Sequence, residues 1–214
     1  MSRSDAPPDN FGGDIERAAE TVRNGGVIVF PTDTLYGLGA DPRQPGPVRR
    51  LVATKERDEG KGLPVLLAHA GDAELLVEPN SLMDDLASAF WPGALTIVVK
   101  ARESVDELLL GPGGTLGLRV PGWELTRRLV ELAGSFLIGT SANRSGRPPA
   151  VTAMEAYDSL GGSVDYVLDG GPVGGVASTV IDISKGHLTI LRSGAVSAEQ
   201  LSSVAGVAVR EKSS

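Results

Sequence analysis

Val27-Ile28-Val29-Phe30 is a run of β-branched and aromatic residues that stops at Pro31-Thr32-Asp33-Thr34-Leu35-Tyr36-Gly37-Leu38-Gly39. A short apolar run bounded by Gly25-Gly26 and by Pro31 reads as a buried strand. The segment after it, Thr32–Asp41, crowds hydroxyls, a carboxylate and a phenol into a turn pinned by proline and glycine, and is expected to be a loop. Two readings of that loop stay open. It is an ordinary polar turn, for which these residue types are common, or it walls a ligand crevice where a sheet opens at a strand end.

Working outward, Asp14–Asn24 predicts a helix, with Ile15, Ala18, Ala19 and Val22 on one stripe and Gly25 as its stop. Further helices are expected over Pro47–Thr54, Asp72–Val77, Ser81–Phe90, Glu124–Ala133, Thr152–Leu160 and Ala198–Val204. Apolar runs predict strands over Leu63–Leu67, Leu95–Val99, Leu116–Val120, Phe136–Ile138, Val164–Leu168, Thr179–Ile183 and Leu188–Leu191. Interleaved helices and apolar strands define an α/β protein. Several strands near the C-terminus follow one another without helices, so the sheet should be mixed rather than fully parallel. One domain is expected over residues 14–205, with flexible tails over 1–13 and 206–214.

Composition removes several function classes. Cysteine is absent, which excludes disulfides and thiolate metal sites. His69 and His187 are the two histidines and lie far apart, which argues against a histidine-rich metal centre. The net charge of −7 argues against a surface that grips nucleic acid as a whole. Aromatic residues make up 4%, too few for stacking platforms. No stretch approaches the length of a membrane span, and Met1–Asn10 lacks an apolar signal core, so a cytoplasmic location without membrane attachment is expected.

Three further segments carry chemistry. Lys55-Glu56-Arg57-Asp58-Glu59-Gly60-Lys61-Gly62 places cations in a glycine-containing loop, either around a phosphate chain or as a solvated charged loop. Gly139-Thr140-Ser141-Ala142-Asn143-Arg144-Ser145-Gly146 follows an apolar strand and can form an anion nest. Ser141 reads there as a ligand-binding hydroxyl, or alternatively as a helix cap; no histidine neighbours it to make it a nucleophile. Arg119 sits inside the run Leu116–Val120 and Arg192 ends another apolar run. A strand arginine faces solvent or a pocket, and in a pocket it wants a carboxylate or phosphate. Gly170-Gly171-Pro172-Val173-Gly174-Gly175, ahead of Ser178, reads as a flexible lid.

Taken together, Phe30-Pro31-Thr32-Asp33-Thr34-Leu35-Tyr36-Gly37-Leu38, Lys55-x-Arg57, Phe90-Trp91-Pro92-Gly93-Ala94-Leu95-Thr96, Leu118-Arg119-Val120-Pro121, Ser141-Ala142-Asn143-x-Ser145-Gly146 and Ser178-Thr179-Val180 occur in the order seen in YrdC-like threonylcarbamoyl-AMP synthases. The chain resembles the short form of that family from about Asp14 to about Leu201. The resemblance implies a single twisted mixed sheet flanked by helices, with a large open cleft of the YrdC/RibB-like kind. It implies a nucleotidyltransferase that converts L-threonine, bicarbonate and ATP into L-threonylcarbamoyladenylate and pyrophosphate. A separate transferase then passes the product to tRNA, and direct tRNA binding would be weak. Carried over by residue, Thr32, Arg119, Thr140 and Ser178 should hold threonine, with backbone around Gly139 contributing. Lys55, Arg57, Thr115, Ser141, Asn143 and Arg192 should hold ATP, and Lys55, Arg57, Ser141 and Asn143 should take part in catalysis. Magnesium would enter with ATP, with few or no protein ligands. The strand after the basic loop carries no histidine, so His69 is given no threonine role. The competing readings are an RNA-binding module and a paralogue that keeps the fold but acts on another substrate.

Overall fold

The computed structural model describes residues 8–55, 62–144 and 146–211. In chain order the elements are β1 (Phe11–Gly12), α1 (Ile15–Arg23), β2 (Ile28–Phe30), β3 (Gly37–Gly39), α2 (Pro45–Lys55), β4 (Val65–Leu67), α3 (Ser81–Phe90), β5 (Leu95–Lys100) and β6 (Thr115–Arg119). They continue with α4 (Glu124–Leu132), β7 (Phe136–Ile138), β8 (Thr140–Ser141), α5 (Ala153–Leu160), β9 (Tyr166–Leu168), β10 (Thr179–Asp182), β11 (Thr189–Arg192), α6 (Ala198–Ala205) and β12 (Arg210–Glu211). Local chemistry sets the helix ends. Asp14 accepts the amide of Arg17 at the start of α1, and Thr152 and Ser197 each form a reciprocal cap with Glu155 and Gln200. The segment expected as a helix over Asp72–Val77 is instead a 3-10 turn over Ala70–Leu75.

The α/β class and mixed pairing hold, but the strands form two sheets rather than one. A five-stranded sheet runs β1-β9-β2-β3-β8, and a seven-stranded sheet runs β12-β11-β10-β5-β6-β4-β7. Both combine parallel and antiparallel neighbours. The chain crosses from one sheet to the other within a few residues. Phe136–Ile138 pairs with Val65–Leu67, and Thr140–Ser141 pairs with Gly37–Leu38. Gly139 is the step between them, and its amide bonds to the Pro64 carbonyl at 2.9 Å. A Cβ at position 139 would lie 2.6 Å from Leu66, so a larger residue would force the sheets apart here. Two short strands fall inside segments expected to be tails: Phe11–Gly12 pairs with Val167–Leu168, and Arg210–Glu211 pairs with Thr189–Ile190.

The core divides along the same lines. Val65, Ile97, Val99, Leu116, Leu118 and Ile181 project from one face of the larger sheet into the main apolar cluster. A second cluster, including Ala18, Val22, Ile28, Leu66, Leu129 and Leu137, seals α1 and α4 against the junction of the two sheets. Among the described residues no helix is long and apolar enough to cross a membrane.

Candidate functional site

Strand alternation sends Pro64, Val98, Gly117, Val180 and Asp182 to the face opposite the main core, and all five are half-buried although their strands are central. That face is therefore only partly covered, and it forms an open floor. Thr96 on β5, and Thr115 and Arg119 on β6, project from the same side. Thr115 and Arg119 stand about 13 Å apart by strand rise, with Gly117 between them keeping the floor low.

Arg119 occupies a built socket at one end of this floor and is 5% exposed. Its Nε donates to the Gly93 carbonyl at 2.8 Å, Nη1 to Thr34 Oγ1 at 3.1 Å and Nη2 to Asp33 Oδ1 at 2.6 Å. A guanidinium only donates, and this fixes the direction of the chain that follows. Thr34 accepts the Arg119 hydrogen bond, its hydroxyl meets Thr32 Oγ1 at 2.9 Å, and Thr32 donates to the Leu35 carbonyl at 2.7 Å. Thr32 Oγ1 also accepts the amides of Thr34 and Leu35, so its hydroxyl shapes the loop. Burial pulls Arg119 below the usual guanidinium range, Asp33 opposes that shift, and the nearby charge of Arg192 adds to it. The two arginines thus act on one electrostatic region, and both stay protonated at neutral pH.

Arg192 reaches this region through an irregular strand. Ile181 pairs with Ile190, yet Val180 pairs with Arg192, so Leu191 is an extra residue in β11. Without that bulge, alternation would turn Arg192 toward the core side; with it, Arg192 shares the open face with Val180. Its Nε and Nη2 donate to the Ser178 carbonyl at 3.2 and 2.9 Å, and Nη2 also reaches Ser178 Oγ at 3.0 Å. Ser178 Oγ lies 3.2 Å from Thr96 Oγ1. Arg192 remains exposed as a residue, whereas Ser178 and Thr96 are buried.

Lys55, the last residue of α2, is buried and points at the segment after β7. Its ammonium donates to the Ser141 carbonyl, to the Asn143 carbonyl at 3.2 Å, and to Asn143 Oδ1 and Ser141 Oγ, each at 3.4 Å. Asn143 Nδ2 in turn donates to the Arg147 carbonyl. The lysine therefore organises the small-residue segment into a defined turn.

The glycine-rich segment expected as a flexible lid is stitched to the Thr32–Asp41 region. The Gly175 amide donates to the Thr34 carbonyl at 2.9 Å, and Val173 donates to Val151 at 3.0 Å. Tyr36 donates its hydroxyl to the Gly171 carbonyl at 2.7 Å and accepts the Gly170 amide at 3.3 Å. Burial, together with the negative charge of Asp169, pushes the Tyr36 hydroxyl up to about 12.

The Sua5/YciO/YrdC family model, described as telomere recombination, matches residues 20–194, which include every side chain of this candidate site. The chain belongs to this family. A Pyrococcus abyssi relative named threonylcarbamoyl-AMP synthase is 34% identical over 194 residues, which is 90% of this chain and 57% of that protein. This chain therefore spans little more than half of that relative. A Mycobacterium tuberculosis relative named putative threonylcarbamoyl-AMP synthase is 36% identical over 94% of both chains. Among solved structures, P. abyssi Sua5 complexed with L-threonine has a TM-score of 0.87 at 33% identity, covering 92% of this chain and 58% of that one. E. coli YciO has a TM-score of 0.81 at 26% identity, covering 89% and 97%.

Within this Sua5/YciO/YrdC domain, the residues singled out from sequence fall into two groups. Thr32, Arg119, Ser178 and Arg192 gather at one end of the open face. Lys55, Ser141 and Asn143 form the second group, and pairing of Ser141 with Gly37 and Thr140 with Leu38 joins it to the first group's loop. Ser141 lies in β8 and caps no helix. Thr115 stands at the far end of β6, with its hydroxyl donating to the Pro112 carbonyl at 3.2 Å. Arg57 lies outside the described residues. His69 is exposed, at the start of the 3-10 turn. Sequence reasoning missed Thr96, Asp33 as the partner of Arg119, and the Gly93 carbonyl. All three lie inside motifs that carry the family resemblance, and Thr96 also stands out as a polar residue inside an apolar strand run.

Proposed function

We propose that this protein is a threonylcarbamoyl-AMP synthase, a nucleotidyltransferase that joins L-threonine, bicarbonate and ATP. The observation that carries the reading is the placement of Arg119, Ser178 and Arg192 on one half-covered sheet face beside the Lys55–Ser141–Asn143 turn. The names of the relatives support it. In the reaction, the threonine amine and bicarbonate give a carbamate and water. A carbamate oxygen then attacks the α-phosphorus of ATP, and pyrophosphate leaves.

Such chemistry needs no covalent nucleophile, but it needs several anions held close together. Unit like charges at 4 Å repel by about 1 kcal/mol in water and several-fold more in a partly dry cleft. Arg119, with two of its five N–H groups uncommitted, would bind the threonine carboxylate. Thr140, Ser178 and the Thr32 loop would line the threonine site. Lys55, Arg57, Thr115, Ser141, Asn143 and Arg192 would face ATP and stabilise charge on the departing pyrophosphate. Among the described residues no group of three His, Cys, Asp or Glu is placed to hold a metal. Magnesium would enter with ATP, carried by its phosphates and neutralising part of their charge. The product would pass, in the cytoplasm, to a separate transferase acting on tRNA.

The test is to incubate the protein with ATP, bicarbonate and labelled threonine, and to measure pyrophosphate and the labelled adenylate. Pyrophosphate release that depends on threonine, with matching adenylate, is expected. Release indifferent to threonine would favour the second reading, a YciO-like paralogue acting on another substrate, which the near-complete structural overlap with E. coli YciO keeps in view.

A further inference from the structure

Buried arginines are held by what surrounds them, and the surroundings of Arg119 include a carboxylate that no part of the proposed chemistry uses. Asp33 Oδ1 accepts Arg119 Nη2 at 2.6 Å, and the Asp33 side chain is 22% exposed against 6% for Arg119. On its other side the carboxylate presses against Gly122. A Cβ built at position 122 would stand 2.8 Å from Asp33 Oδ2 and 3.1 Å from its Cγ. Gly122 is itself exposed, and the nearest atoms that a side chain there would meet are those of this carboxylate, with Gly93 Cα next at 3.4 Å. Asp33 therefore sits in a fitted seat, between a glycine that makes space and a guanidinium that neutralises it.

We infer that Asp33 is a positioning residue for the amino-acid substrate: its seated carboxylate, with Thr34, sets the angle of the Arg119 guanidinium so that the uncommitted N–H groups meet the substrate carboxylate. This inference rests on the threonine site proposed above. A guanidinium is planar, so bonds at Nε, Nη1 and Nη2 together leave it no rotation. Removing the Asp33 bond frees one edge, leaving Gly93 and Thr34 on the others. Asp33 also cancels most of the Arg119 charge. The site then recognises a carboxylate by the direction of two N–H groups rather than by bulk attraction. Such a site should prefer a planar carboxylate over an amide, whose NH2 would face those donors.

Two variants test this, Asp33→Asn and Gly122→Ala. The first removes the charge but keeps the shape; the second keeps the charge but pushes the carboxylate off its seat from an exposed position. Each is assayed for adenylate formation with L-threonine and with L-threonine amide, with KM for ATP measured in parallel and thermal unfolding recorded. The expected result is a threonine KM raised about 10-fold or more in Asp33→Asn and several-fold in Gly122→Ala, equivalent to about 1.4 kcal/mol per factor of ten. The preference for threonine over the amide should shrink by a similar factor, with the ATP KM within about 2-fold of wild type. A purely structural role would raise both KM values together and leave the preference for the acid intact, and that outcome overturns the inference. Tighter threonine binding in Asp33→Asn also overturns it, because Asp33 would then be a competitor of the substrate. Should the wild-type protein form no adenylate from threonine, the proposed function fails and this inference falls with it. Normal wild-type activity with unaltered variants removes only the inference.

Discussion

Arg119 and Arg192 are the same side chain placed in opposite ways on one sheet face. Arg119 is buried at the end of a regular strand and is held by a carboxylate, a hydroxyl and a carbonyl. Arg192 is exposed at the end of a bulged strand and leans on neutral oxygens of one serine. A guanidinium neutralised and locked in place offers direction, which suits a single carboxylate of fixed shape. A guanidinium left charged at the rim offers field, which suits a flexible polyphosphate. The difference teaches that burial and counter-charge, rather than residue type, divide the two roles.

Breaking the locked arginine should produce the largest effect. Arg119→Ala leaves Asp33 facing a void and costs about 3 kcal/mol of stability, as expected when one partner of a buried ion pair is removed. It should also lower kcat/KM for threonine by about 100-fold, equivalent to about 2.7 kcal/mol. Chemical denaturation and threonine titration measure the two separately. If stability and threonine kinetics both stayed at wild-type values, the contrast drawn between the two arginines would collapse.

The open arginine should answer more weakly and to a different variable. Arg192→Ala should raise the ATP KM about 10-fold, equivalent to about 1.4 kcal/mol, and cost about 1 kcal/mol of stability, because the buried Ser178 oxygens lose their donor. Salt sharpens the comparison. The screening length contracts from about 10 Å at 0.1 M to about 3 Å at 1 M. The ATP KM of the wild-type protein should therefore rise several-fold over that range, while the threonine KM, set by a buried group, changes by less than about 2-fold. Equal salt responses for the two substrates would contradict the division.

The ease with which these features are read from sequence follows the same physical line. Helix Ser81–Phe90 and strand Phe136–Ile138 emerge from sequence with their observed limits because their apolar spacing is local and regular. Gly37–Gly39, Thr140–Ser141 and Phe11–Gly12 do not, because strands of two or three residues have no period to detect and exist only through distant partners. They supply three of the five strands of the second sheet, so one sheet was expected where two occur. At the site, a buried arginine at position 119 announces that it needs a partner, yet Asp33 lies 86 residues away and nothing local couples them. The register shift that aims Arg192 is less legible still, since Leu191 looks like any other apolar strand residue until pairing with Ile181 and Val180 is known.

The smallest effect concerns the loop that binds Arg119 and is stitched to the glycine-rich segment. Tyr36 is buried, and its hydroxyl, raised to about 12, bridges Gly170 and Gly171. In the unfolded chain a tyrosine ionises near pH 10. Between about pH 10 and pH 12 the folded protein holds a proton that the unfolded chain has lost, so stability must fall as pH rises through that window. Below pH 10 the contribution is fully present. Tyr36→Phe keeps the ring and removes the titration, so its unfolding free energy from chemical denaturation at pH 8 should be lower than wild type by about 1 kcal/mol for the lost hydroxyl bonds. The gap should narrow as pH climbs past 10, because only the wild type then loses stability through this group. Parallel pH curves for the two proteins would mean that the hydroxyl does not hold the segment as the hydrogen bonds indicate. The threonine KM supplies an independent reading: Gly175 is tied to Thr34, and Thr34 to Arg119, so loosening Gly171 should raise it by no more than about 3-fold, well below the loss expected at Arg119 itself.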